Sequence, residues 1–104
     1  MSEALDTKLV KQILATGTTR AAWCEAEVAL IEAKYDLLNA EYECYRNGIE
    51  GKKAEQRSAW LFELTAPLQA AERDARIAAL RLKAAFENSL TAEDYYRTRL
   101  SVGV

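Results

Sequence analysis

The chain has 104 residues, a single proline, no histidine and a formal charge of −2. That length suits one domain with a modest core, and the missing histidine removes the commonest general base and the commonest metal ligand. The small net charge argues against a protein that coats nucleic acid, and no stretch nears the roughly 20 apolar residues that cross a bilayer.

With four glycines and 29% charged residues, the composition favours long helices. Residues 1–50 carry five Lys/Arg against nine Asp/Glu, and residues 51–104 carry nine against seven. Halves of opposite sign suit a chain that folds back on itself. No signal-peptide pattern opens the sequence, so a cytoplasmic location is the expectation.

In chain order, Ser2 is the expected N-cap of a short helix over 3–16, with Leu5, Leu9 and Ile13 on its apolar face. Gly17 reads as its stop, and Thr18 or Thr19 as the cap of the next helix. That second helix is predicted over 19–46. Ala21, Cys24, Val28, Ile31, Tyr35, Leu38, Tyr42 and Tyr45 follow the alternating three-and-four spacing of a heptad seam. Asn47-Gly48 is a turn signal.

A third helix is predicted over 52–88, with Leu61, Leu64, Leu68, Ala71, Ala75, Ala78, Leu82 and Ala85 as its seam. Pro67 interrupts it, so a kink is expected there, or a break with Thr65 as a new cap. Thr91-Ala92-Glu93-Asp94 reads as the cap of a last short helix over 92–100. The turn between the two seams is short enough to force an antiparallel return. The expected fold is therefore all-α: a long antiparallel helical hairpin with short flanking helices, in which tyrosines face alanines.

The middle helix carries a second stripe of the same spacing: Trp23, Ala26, Leu30, Ala33, Leu37, Ala40 and Cys44. In a heptad frame it lies roughly 150° from the first. One hairpin buries one seam, so the other is expected to meet a second copy. The expected assembly is a homo-oligomeric helical bundle, a dimer foremost, with Trp23, Leu30, Leu37, Cys44 and Trp60 at the interface. Cys24 and Cys44, about 30 Å apart on one helix, are expected as free thiols in a reducing cytoplasm.

No chemistry of an enzyme emerges, and no cofactor or metal is expected. Without histidine there is no Glu-x-x-His pair for a di-iron site, and two distant cysteines make no zinc site. Glu41 with Glu43, and Glu72 with Asp74, read as solvated acids. Arg73, Arg76 and Lys83 form a basic group that is a candidate nucleic-acid contact, although the aromatic interleaving of single-strand binders is missing and pairing with acids is the expectation. Tyr95 and Tyr96 are read as anchors of the last helix, with a protein-contact patch as the alternative.

The run Glu25-x-Glu27 through Glu41 with regular alanines, the Arg46-Asn47-Gly48 turn, Lys53-x-Glu55-x-Arg57 and Glu72-Arg73-x-Ala75-Arg76 cover some two-thirds of the chain. In these features it resembles the small helical-hairpin, coiled-coil proteins of bacteriophages and prophages. That resemblance implies origin in a bacterial host cell, not a shared activity. Three functions follow as expectations: a self-associating phage-type accessory protein that docks on another protein; an anti-CRISPR-like inhibitor of a host defence complex; and a DNA-recombination accessory working through the basic stripe.

Overall fold

The structure, a computed structural model, describes residues 4–46 and 54–102. Two helices account for them, α1 (Leu5–Arg46) and α2 (Ala54–Val102), and no strand occurs among the described residues. Asp6 in the first turn of α1 and Arg46 in its last complement the helix dipole. The expected cap Ser2, the Asn47-Gly48 turn and the expected start of the third helix at residue 52 lie outside the described residues.

The short flanking helices are not separate. α1 runs unbroken through Gly17, and α2 runs unbroken through Pro67 and Thr91. Glycine in a helix interior costs only about 1 kcal/mol relative to alanine, which packing on both sides readily offsets. The residues expected to cap new helices instead turn their hydroxyls back onto their own helix. Thr18 donates to the Leu14 carbonyl, Thr19 to Thr16, Thr65 to Leu61 and Thr91 to Glu87, at 2.7–3.1 Å. A hydroxyl satisfied in this way leaves the helix intact. Pro67 removes one backbone donor from an exposed position, and α2 continues past it.

The chain divides into two units, one of residues 1–26 with 78–104 and one of residues 27–77. In the first unit the helices run antiparallel, since Gln12 meets Ser89 while the later Trp23 meets Phe86. The covered positions of α1 here include Leu5, Leu9, Gln12, Thr16, Thr19, Trp23 and Ala26. Those of α2 include Ala79, Leu82, Phe86, Ser89, Glu93, Tyr96 and Leu100. These two runs step by threes and fours, which is heptad packing, and Lys8, Ala22, Ala85, Leu90 and Ala92 flank them. Ala79 is only 3% exposed, a small residue where the helices approach closely.

A polar layer fixes the register of this unit. Gln12 Nε2 donates to the Ser89 carbonyl at 3.1 Å. The Thr16 hydroxyl lies 2.9 Å from the Gln12 carbonyl and 3.3 Å from that of Ser89. It has one hydrogen, so it bonds chiefly to Gln12 and leans on Ser89. Slipping the helices would break the Gln12–Ser89 bond between two partly covered groups, at a net loss of about 1 kcal/mol.

In the second unit the covered positions of α1 include Leu30, Ala33, Leu37, Ala40 and Cys44, and those of α2 include Leu61, Thr65, Leu68, Glu72 and Ala75. Leu30 is 8% exposed; burying a leucine contributes about 1.5–3 kcal/mol. Thr65 is fully covered; its hydroxyl donates to Leu61 at 2.7 Å and accepts from Gln69 Nε2 at 2.8 Å. Glu72, expected as a solvated acid, is 9% exposed and paired with Arg76. Asp74 beside it does stay in solvent.

Candidate protein interface

The two stripes of α1 exchange the roles expected of them. The stripe of Trp23, Ala26, Leu30, Ala33, Leu37, Ala40 and Cys44 is the one covered by α2. Leu30 is buried within a single chain, Trp23 stacks on Phe86, and Leu37 lines a groove with residues of α2. These four expected interface residues, Trp23, Leu30, Leu37 and Cys44, therefore face their own chain. Trp60 is partly buried on α2. The alanines of this stripe supply the physical reason: they let the backbones approach, whereas a tyrosine stripe would hold them apart and carry hydroxyls inward.

The stripe expected to close the hairpin is open. Val28, Ile31, Tyr35, Leu38, Tyr42 and Tyr45 are each between 53% and 65% exposed. In the first unit the same heptad frame continues backward through Cys24, Ala21, Gly17, Leu14 and Val10, and all five are exposed too. A large apolar side chain standing alone in solvent is ordinary. A run of them in heptad register along one helix face is a candidate interaction surface.

On α2 the seam is largely as expected. Leu61, Leu68, Ala75, Leu82 and Ala85 are covered, but Leu64, Ala71 and Ala78 are exposed. Thr65, Glu72 and Ala79, one residue later in each case, take the inner places, and Phe86 is covered beside Ala85. Two of these four are polar, so an apolar pattern passes over them. The tyrosine pair divides: Tyr96 is partly covered and lines a groove of about 380 Å³ with Lys8, Lys11, Gln12 and Ala15, while Tyr95 stands exposed.

The basic group is largely engaged. Arg76 pairs with Glu72, and Arg73 lies 3.8 Å from Asp74. Arg73 and Arg76 line a groove of about 600 Å³ together with Leu37, Glu41, Phe62 and Glu72. Two acids in that lining offset the two arginines. Lys83 is exposed and belongs to the other unit.

No family model, curated protein or solved structure matches this chain. The outer face of α1 therefore stands on its geometry alone. Among the described residues no three His, Cys, Asp or Glu side chains group to hold a metal, and no helix is long and apolar enough to cross a membrane. Both cysteines are free thiols, with Cys24 on the outer face and Cys44 on the inner.

Proposed function

We propose that this chain is a non-enzymatic accessory protein, of the phage or prophage type, that works in a bacterial host cell by self-association and protein binding. One observation carries the reading: α1 presents a second heptad seam to solvent after its first has been covered by α2. Such a face gains nothing for a solitary chain, because its apolar area stays hydrated. Covered by a partner, it becomes a source of hydrophobic stabilisation.

Light scattering of the purified protein tests this directly. The wild type is expected at twice the chain mass or more. An Ile31→Glu/Leu38→Glu variant is expected to remain helical and drop to the monomer mass, because both positions are exposed in the single chain. A wild type that stays monomeric at millimolar concentration, and binds no other protein, overturns the reading. The nucleic-acid alternative draws less support, since two of the three candidate contacts already pair with acids.

A further inference from the structure

We infer that the outer face of α1 is covered by a second copy of the same face, docked antiparallel about a two-fold axis between Val28 and Ile31. The inference rests on the self-association reading and adds the partner, its direction and its register.

Side-chain size sets the direction and the register. Along the outer stripe the central first-unit positions are small: Gly17, Ala21 and Cys24. The second-unit positions are large: Ile31, Tyr35, Leu38, Tyr42 and Tyr45. In an antiparallel seam each residue at one core position meets a residue of the other core position on the partner helix. With the axis between Val28 and Ile31, Tyr42 lies over Gly17 of the other copy, Leu38 over Ala21, and Tyr35 over Cys24. Val28 meets Ile31, and Tyr45 meets Leu14. Three of the five large second-unit side chains, Tyr35, Leu38 and Tyr42, fall on the three small positions, as close packing requires.

The alternatives pack worse. A parallel pair sets Gly17 on Gly17 and Ala21 on Ala21, leaving a void at one end, and crowds Tyr42 on Tyr42 at the other. Slipping the antiparallel pair back by one heptad sets Tyr42 on Val10 and Leu38 on Leu14, large on large, and leaves Val28 on Cys24 and Ile31 on Ala21. Charge does not choose the direction. The antiparallel pair sets Glu27 by Lys34 and Arg20 by Glu41, but also Glu25 by Glu32. The parallel pair sets Arg20 by Glu25 and Glu41 by Arg46, but also Glu27 by Glu32. The area is sufficient. The seven large side chains of the paired stretch, Leu14, Val28, Ile31, Tyr35, Leu38, Tyr42 and Tyr45, expose on the order of 900 Å² per copy against about 800 Å² per partner in a standard stable interface. Such a two-fold contact uses the same patch on both copies and closes the assembly at this face.

Cross-linking reads the register. In a Tyr35→Cys/Cys44→Ser variant, Cys24 and the introduced thiol are about 16 Å apart on one helix, beyond bridging within a chain. In the antiparallel pair they oppose each other between copies. Oxidation with an added mild oxidant, followed by peptide mapping, is expected to show the link from position 24 to position 35. A link from 24 to 24 overturns the inference in favour of a parallel pair. A dimer mass with no link overturns the inference while leaving self-association standing, and a monomer mass for the wild type overturns both.

A size swap keeps the test independent of thiol chemistry. Ala21→Leu and Leu38→Ala alone are each expected to weaken dimerisation tenfold or more, and together to restore it to near the wild-type value. Both positions are exposed in the single chain, so the fold of each copy is not at stake. Losses that merely multiply in the double variant overturn the pairing.

Discussion

The rings of Trp23 and Phe86 stack with centroids 5.4 Å apart and planes 24° from parallel, and the Arg20 guanidinium carbon lies 5.2 Å from the same Phe86 ring. This cluster joins α1 to α2 in a unit whose other cross-helix contacts include the Gln12–Ser89 hydrogen bond. Trp23→Ala removes a large, partly covered side chain, and a loss of about 2–3 kcal/mol is expected, below the range for a fully buried tryptophan. A double-mutant cycle with Phe86→Ala is expected to show a coupling of about 0.5–1.5 kcal/mol. Urea unfolding followed by circular dichroism measures both.

The buried and open faces of α1 are separated by a matched pair of charge insertions. Leu30→Glu/Leu37→Glu puts carboxylates on the covered side, where Leu30 is 8% exposed. An unpaired buried charge costs several kcal/mol, and a domain of this size has about 5–15 kcal/mol in all. Loss of most helical signal at 25 °C is expected for this variant. The outer pair, Ile31→Glu/Leu38→Glu, is expected to keep the helical signal. Equal loss in both variants would mean that the two faces are equally buried and the assignment of inner and outer is wrong.

How far the sequence shows this arrangement depends on which feature is asked for. The two helices are legible because long heptad runs and the absence of strand patterns leave no competing fold. Gly17 and Thr91 mislead because capping chemistry is local, while helix continuation is decided by packing on both sides. The choice of inner face misleads for a different reason. Tyr35, Leu38 and Tyr42 are greasier than Ala33, Leu37 and Ala40, so a count of apolar area selects the outer stripe. Close approach selects the inner one, because it needs small residues at alternate layers. Thr65 and Glu72 are hidden from any apolar pattern, and only their partners, Gln69 and Arg76, make their burial intelligible. The presence of two stripes was readable from spacing alone; their assignment was not.

Thr65 tests the second unit without altering volume. Its hydroxyl sits between the Leu61 carbonyl and the Gln69 amide, with no exposed surface. Thr65→Val keeps the shape and leaves Gln69 Nε2 without that acceptor. A loss of about 1 kcal/mol is expected, since Gln69 is partly covered and recovers some hydration. Gln69→Leu in the same background is expected to recover part of it, because removing both partners leaves nothing unsatisfied. Thermal unfolding of the single and double variants decides whether the pair acts as a unit.

Gly17 offers a stabilising change at the point where a helix break was expected. A Cβ built there meets nothing within 4 Å, and α1 passes through it without interruption. Gly17→Ala therefore adds helix propensity at no steric cost within the chain, worth about 1 kcal/mol. For a domain of this length that corresponds to a rise of roughly 4–8 °C in Tm. The measurement belongs on the monomeric Ile31→Glu/Leu38→Glu background, where no second copy can crowd the added methyl group. In the wild-type background the same methyl would lie under Tyr42 of the partner in the antiparallel pair. A smaller gain there than in the monomer is expected, and the difference between the two backgrounds reports how closely that pair packs.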